Sequence, residues 1–147
     1  MQHLPDDRLI SYLYCFNVTQ DYFTCHEYGE SLWLDSGRPQ LLKGLIQAAV
    51  CLYHLHSGNV RGGYRMWQRA KSYLLPHLPV YAGIDLSQLI RDIDRVYGQV
   101  PTQFYDQHVS VAEMNAMNLP DVYISIVDPD LASTVETWQP TSLDEPD

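Results

Sequence analysis

The chain has 147 residues, a hydrophobic content of 46% and a formal net charge of −9 at pH 7. This length suits a single domain, and the apolar content is sufficient for a core. Residues 1–99 hold nine basic and nine acidic side chains, whereas residues 100–147 hold nine acidic side chains and no basic one. Because an acidic extension repels phosphates, the composition argues against nucleic-acid binding.

The cysteines and the N-terminal residues bear on the location of the protein. Cys15, Cys25 and Cys51 are odd in number and lack zinc-ribbon spacing, which favours reduced thiols. The N-terminal residues lack the apolar core of a secretion signal. The longest apolar stretch, residues 41–56, would form a helix of about 24 Å, too short to span a bilayer. We therefore expect a cytoplasmic protein without a membrane segment.

Helix-start and helix-end signals divide the first hundred residues into five helices. Proline in a first turn, Asn, Thr, Asp or Ser as a cap, and glycine after a last turn mark the boundaries. The predicted helices cover about residues 5–16, 21–35, 39–56, 60–75 and 85–98, with Asn17 or Thr19 as the cap of the second. Short connections favour antiparallel neighbours, and the nearly all-apolar third helix should be buried at the centre. The prediction is an all-α fold, a single small bundle of about five helices with an extended acidic C-terminal arm.

The chain after residue 99 has a different pattern. Val122, Ile124 and Ile126 lie at alternate positions, but no strand partner for them is visible. We therefore expect an extended arm that packs on the bundle, rather than a sheet. The acidic and proline-containing composition from residue 140 onward predicts disorder. The expected division is a helical bundle over 1–99, an arm over 100–139 and a disordered acidic tail over 140–147.

The third helix carries a polar stripe. Gln47, Cys51 and His54 lie at positions i, i+4 and i+7, so they share one face of an otherwise apolar helix. Buried polar groups need hydrogen-bond partners. Cys51 and His54 are close enough along the helix to meet, but a buried thiol beside a histidine is more typical of packing than of catalysis.

The second helix supplies the candidate partners. His26 and Glu30 lie one helical turn apart, and Glu27 lies three residues before Glu30. If the second and third helices are antiparallel about residues 36–38, Glu27 faces Gln47 and Glu30 faces Gly44. The residues thus predict a His/Glu/Gln cluster in a groove between these two helices.

Several separated motifs occur together in the chain. They are Phe16-Asn17, Tyr22-Phe23, His26-Glu27-x-x-Glu30-x-x-Trp33, Gly44-Leu45-Ile46-Gln47, Tyr53-His54, Gly58-Asn59 and Gly62. Over about residues 9–97 the chain resembles domain-of-unknown-function family 309. The resemblance implies a small all-helical fold and the label "predicted metal-dependent hydrolase", which rests on the His-Glu motif. It also implies functional roles, by matching position, for His26, Glu27, Glu30, Gln47 and, more weakly, His54 and Asn59.

The chemistry of the cluster leaves three interpretations open. His26 and Glu30 can both ligate zinc, manganese or iron, and Glu27 can act as the base for a bound water. The motif lacks the second histidine of H-E-x-x-H, however. The second interpretation is a buried hydrogen-bond network, in which Glu27 accepts from Gln47 and His26 bonds to Glu30 or to a backbone carbonyl. The third is a ligand or substrate site without a metal.

Two functions follow from these interpretations. The first is a non-catalytic interaction or scaffold module, whose His/Glu/Gln cluster is a buried polar network and whose acidic arm contacts a protein partner. The alternative is a metal-dependent hydrolase that uses His26, Glu27 and Glu30 at the predicted groove, with Glu27 as the catalytic residue. The sequence indicates neither a substrate nor an oligomeric state, and a divalent metal is the one cofactor it suggests.

Overall fold

The computed structural model describes residues 4–143 of the chain. This range is mostly helical, as predicted. The first five α-helices are α1 (Asp7–Tyr14), α2 (Tyr22–Asp35), α3 (Gln40–His56), α4 (Val60–Leu74) and α5 (Leu86–Gly98). Their positions agree with the five predicted helices to within a few residues. None of the helices in residues 4–143 combines the length and the apolar character needed to cross a membrane.

Side-chain caps begin several of the helices. Asp21 Oδ1 accepts a hydrogen bond from Thr24 N at 3.1 Å at the start of α2. Asn59 Oδ1 accepts one from Gly62 N, also at 3.1 Å, at the start of α4. Both bonds satisfy an amide that has no partner within its own helix. The predicted cap of α2, Asn17 or Thr19, was wrong: both residues lie in a π-helical turn, Cys15–Thr19, that follows α1, and Asp21 is the cap.

Two glycines allow α3 and α4 to approach closely. A Cβ on Gly44 would lie 2.9 Å from the Leu74 side chain and 3.1 Å from the Ala70 carbonyl oxygen. A Cβ on Gly63 would lie 3.0 Å from the Cys51 carbonyl oxygen. Side chains at these positions would force the two helices apart, so α3 and α4 pack backbone to backbone.

Buried tyrosines connect α1 and α5 to the central helix. The Tyr12 hydroxyl of α1 donates to the Leu45 carbonyl oxygen at 2.5 Å. The Tyr97 hydroxyl of α5 donates to the Cys51 carbonyl oxygen at 2.7 Å. Both tyrosines are only 1% exposed, and buried hydroxyl groups are stable only when they are hydrogen-bonded. Helix α3 is thus held from several sides, as its apolar sequence predicts.

The chain after α5 contains more helix than the predicted extended arm. Two short helices, α6 (Val111–Ala116) and α7 (Pro129–Glu136), follow a 3₁₀ turn at Thr102–Tyr105. A reciprocal capping box between Ser110 and Glu113 begins α6. Such local caps are sufficient to start one or two helical turns once the segment packs on a core.

The structure contains a small β-hairpin that was not predicted from the sequence. Strand β1 (Val80–Tyr81) pairs with β2 (Ile84–Asp85) in antiparallel register. Ile84 also forms an isolated antiparallel bridge with Ile126. The expectation that the alternating run had no strand partner was therefore wrong. A strand of two residues is too short to produce an alternating pattern, and so it leaves no periodic signal in the sequence.

Residues 100–143 pack on the bundle through apolar and polar contacts. Asn17 brackets the backbone of Ile124: its Nδ2 donates to the Ile124 carbonyl oxygen at 2.9 Å, and its Oδ1 accepts from the Ile124 amide at 2.8 Å. The buried apolar side chains of this segment are Val100, Val109, Met114, Val122, Ile124, Leu131 and Val135. The segment therefore covers apolar surface that the first five helices would otherwise expose.

Contacts continue beyond the residue at which disorder was predicted to begin. Trp138 Nε1 and the Thr141 amide both donate to Ser11 Oγ, at 2.9 Å and 3.3 Å. The Tyr28 hydroxyl donates to the Thr141 carbonyl oxygen. The predicted boundary at Pro140 is thus too early, because backbone groups of Thr141 meet polar groups of α1 and α2. The rest of the predicted tail, residues 144–147, lies outside the described residues.

Candidate functional site

The charged residues of the predicted cluster lie on the outer face of α2. The buried positions of this helix are Tyr22, Cys25, Tyr28, Gly29 and Leu32. His26, Glu27 and Glu30 lie on other faces, with 27% of the His26 side chain and 53% of the Glu30 side chain exposed, and Glu27 is exposed as well. The predicted buried polar network is therefore corrected to a surface cluster.

His26 and Glu30 form the predicted i, i+4 pair. His26 Nε2 lies 3.6 Å from Glu30 Oε2, an ion pair when the imidazole is protonated. His26 Nδ1 lies 3.3 Å from the Phe23 carbonyl oxygen, which only an N–H can satisfy. Exposed ion pairs contribute about 0–1 kcal/mol.

The cluster borders a cavity on the outer side of α2. This cavity has a volume of about 350 Å³ and is lined by His26, Glu27, Glu30, Ser31, Leu34, Asp35 and Leu143. All of these residues except Leu143 belong to α2, so the predicted groove between the second and third helices is not where these residues meet. The facing surfaces of α2 and α3 are filled instead, since a Cβ on Gly29 would lie 2.8 Å from the Ile46 side chain.

The cavity includes residues that the sequence analysis did not single out. Leu34 lies one helical turn after Glu30 and therefore on the same face of the helix, so its place beside the cluster could have been predicted from the sequence. Asp35 is already paired, because Arg8 Nη1 donates to its Oδ2 at 2.6 Å. Nothing in the sequence places Leu143 beside α2. The chain returns to this site through the contacts of Thr141 described above.

The other predicted site residues lie apart from the cavity. Gln47 Oε1 is buried without a hydrogen-bond partner in the described part of the chain. The predicted bond would instead run from the Gln47 amide nitrogen to Glu27, which is exposed on α2, and no such bond is present in residues 4–143. His54 is partly buried and lies against α4, since a Cβ added to Gly63 would be 3.2 Å from the Cβ of His54. Asn59 caps α4, so its observed role is structural.

The cysteines are not placed for chemistry. Cys15, Cys25 and Cys51 are free and buried, and burial raises the pKa of all three thiols. Cys25 Sγ donates to the Tyr12 carbonyl oxygen at 3.3 Å, and Cys51 Sγ to that of Ala48 at 3.0 Å. A thiol with a raised pKa carries little thiolate at neutral pH and is a poor nucleophile. The interpretation of Cys51 as a packing side chain is consistent with this geometry.

Within the described range, the cluster supplies too few ligands for a divalent metal. Zinc and related metals bind three or four protein ligands that converge from suitable directions. In residues 4–143, no group of three or more His, Cys, Asp or Glu side chains is placed to hold a metal ion. His26 and Glu30 supply two groups, and Glu27 lies about 100° around the helix axis from His26.

Comparison with known proteins finds a family similarity in the first part of the chain. Residues 9–66 match the model of a family described as "Domain of unknown function (DUF309)". These residues are therefore similar to that family. The matched range runs from α1 into α4 and contains every predicted site residue, from His26 to Asn59. The resemblance inferred from the sequence motifs is confirmed over this range.

A bacterial relative extends the comparison. "Uncharacterized protein YpuF" of Bacillus subtilis (strain 168) is 36% identical to the chain over 98 residues, which cover 63% of the chain and 56% of that protein. The chain thus spans little more than half the length of this relative. No solved structure gives a significant match to the chain. The chain is therefore similar to a protein whose name assigns no activity.

Proposed function

We propose that this protein is a non-catalytic interaction module built on the residues that match DUF309. The observation that carries the proposal is the exposure of His26, Glu27 and Glu30 on the outer face of a single helix. Catalysis by charged groups generally depends on several of them being held together away from water. Charged side chains on an open helix face are better suited to recognising the surface of another macromolecule.

The acidic residues after α5 belong to the same proposal. Asp106, Glu113, Asp121, Asp130 and Glu136 are exposed. Because residues 100–143 contain no basic side chain, these carboxylates give that part of the surface a negative potential. Such a surface steers a positively charged partner and resists self-association. We expect these carboxylates to affect the rate of association more than the stability of a complex.

The alternative function is a metal-dependent hydrolase that uses His26, Glu27 and Glu30. It requires at least one further ligand from another element, and residues 4–143 offer none at the right place. The buried residues of α2 cannot supply it without unpacking the core. For this reason we assign no chemical step to a metal at this site.

Metal analysis of the full chain, purified without a histidine tag, tests the choice between the two functions. We expect no stoichiometric zinc, manganese or iron in the parent protein or in Glu30→Gln. The substitution should change the free energy of unfolding by less than about 1 kcal/mol, because the pair with His26 is screened by water. Glu136→Gln, an equally conservative change at an exposed position of α7, is the matched control. Stoichiometric metal that is lost in Glu30→Gln and in His26→Ala, but kept in Glu136→Gln, would establish the hydrolase site instead.

A further inference from the structure

Helix α4 has an unusual charge distribution. It carries four basic side chains and no acidic one: Arg61, Arg65, Arg69 and Lys71. The three arginines repeat every four residues and therefore line one face of the helix over about 12 Å. All three are exposed. We call Arg61, Arg65 and Arg69 the arginine face of α4.

The arginine face is unfavourable for the helix itself. Like charges at i, i+4 destabilise a helix by about 0.2–0.5 kcal/mol per pair, and this face contains two such pairs. Arg61 also lies in the first turn, where the positive end of the helix dipole opposes a cation. Neither arrangement contributes to the packing of α4 on α3, which uses the buried residues Val60, Gly63, Trp67, Ala70 and Leu74.

Neighbouring carboxylates do not neutralise this face. Arg61 Nη1 lies 3.9 Å from Asp106 Oδ1, the limit for an ion pair. Lys71 Nζ lies 2.6 Å from Asp94 Oδ2, and the same carboxylate accepts from Trp67 Nε1 at 2.7 Å. In residues 4–143, Arg65 and Arg69 have no carboxylate within ion-pair distance. These two arginines are thus exposed and without a carboxylate partner in the described part of the chain.

We propose that the arginine face of α4 is a docking surface for an acidic helical segment of another protein. This inference rests on the proposed function, since it names one surface of the interaction module. Carboxylates that repeat every four residues on a partner helix recur every 6 Å or so, which is the spacing of the arginines. Guanidinium groups pair with carboxylates through two parallel hydrogen bonds, which favours arginine over lysine at such a surface.

The net negative charge of the whole chain disfavours nucleic acid more strongly than a short acidic helix. Nucleic acid has a much higher density of negative charge than an acidic helix, and a chain with a net charge of −9 repels it at long range. A short acidic helix suffers less from this repulsion and can lie along one face. The contact between Arg61 and Asp106 already places a protein carboxylate at one end of the arginine face.

Helix α5 provides a matched control surface. Arg91 and Arg95 are also exposed and also lie four residues apart. They alternate with acidic residues, however, and Arg95 Nη1 lies 3.3 Å from Asp92 Oδ1. Replacing this pair with glutamine changes the net charge by the same amount as replacing Arg65 and Arg69. Glutamine is a good helix former, so both double variants should fold, which circular dichroism checks.

The probe is a fluorescein-labelled alanine peptide with glutamate at every fourth position. Fluorescence anisotropy should show that the full-length parent chain binds this peptide. The double variant Arg65→Gln, Arg69→Gln should bind it about tenfold more weakly. The control double variant Arg91→Gln, Arg95→Gln should change the affinity by less than about twofold. Equal weakening in both double variants would reduce the effect to net charge and overturn the proposal. Lack of binding up to about 1 mM peptide would overturn it as well.

Two further outcomes would replace the proposed partner. Single-stranded DNA that binds more tightly than the peptide, and loses affinity in Arg65→Gln, Arg69→Gln, would assign the arginine face to nucleic acid. Self-association of the parent chain that disappears in the same variant would assign it to a second copy. Each result overturns the acidic helix as the occupant. The metal analysis above is independent of all these measurements, so failure of this inference and failure of the proposed function can be distinguished.

Discussion

His56 occupies a distinctive position at the end of α3. Its ring stacks on Tyr22, with ring centroids 6.0 Å apart and an interplanar angle of 6°. Burial lowers the pKa of His56 below its usual value of 6.5, while the negative charge of Asp121 acts in the opposite direction with a smaller effect. The neutral imidazole is therefore the form that the fold favours, and it lies between α2 and the segment that carries Asp121.

Protonation of His56 should destabilise the fold. A histidine whose pKa is lower in the folded chain than in the unfolded chain contributes its full stabilisation at pH values above the unfolded pKa of about 6.5. This stabilisation is lost as the pH falls from about 6.5 toward the pKa of the folded chain. Urea unfolding at pH 7.5 and at pH 5.5 should therefore show a smaller pH dependence in His56→Gln than in the parent. His77→Gln, at an exposed position, is the control. An unchanged pH dependence in His56→Gln would show that His56 is not responsible.

At the scale of single residues, the sequence predicted neighbours along a helix better than contacts between helices. The pairing of His26 with Glu30 requires only the helical repeat, and it is observed. The face that α2 turns to the core could not be derived in the same way. Apolar residues surround this helix, and Phe23 and Leu34 remain 50% and 49% exposed. With no single apolar stripe, the sequence did not show which face α1 and α3 would cover.

Among the elements, the close contact between α3 and α4 can be tested through Gly63. A Cβ at this position would overlap the Tyr97 hydroxyl, which is fixed by its bond to the Cys51 carbonyl oxygen. Gly63→Ala should therefore destabilise the protein by about 1–3 kcal/mol, the usual cost of overpacking a core, in urea unfolding. Gly98, at the end of α5, has no atom within 4 Å of an added Cβ. Gly98→Ala should be neutral or slightly stabilising, and a loss as large as that of Gly63→Ala would contradict this explanation.

Helix boundaries were predictable because they depend on caps and breakers within a few residues. The π-helical turn after α1 and the hairpin of β1 and β2 were not, because each depends on what packs against it. Charge shows a similar limit. Residues 1–99 have equal numbers of acidic and basic side chains, yet α4 alone contains four basic residues and no acidic one. The net charge of residues 1–99 therefore gave no indication of the arginine face, whereas the net charge of each helix would have indicated it.

For the molecule as a whole, the question is whether the bundle can fold without the residues of the arm. The sequence predicted a bundle over 1–99 with a later arm, and the structure buries apolar side chains from both parts in one core. Asn17 and Ser11 hold the later residues at Ile124 and Trp138, more than one hundred positions away. Such distant contacts could not be derived from local patterns, since neither polar residue carries a signal for its partner.

A chain shortened to residues 1–101 should lose cooperative unfolding. It would lack the buried side chains of Val109, Met114, Val122, Ile124, Leu131 and Val135. Burial of one such side chain contributes about 1.5–3 kcal/mol, and a small domain has a net stability of about 5–15 kcal/mol. A chain shortened to residues 1–143 keeps every contact described above and should melt at the parent temperature. Circular dichroism during heating measures both, and a sharp transition near the parent temperature in the shorter chain would show that residues 1–99 fold independently.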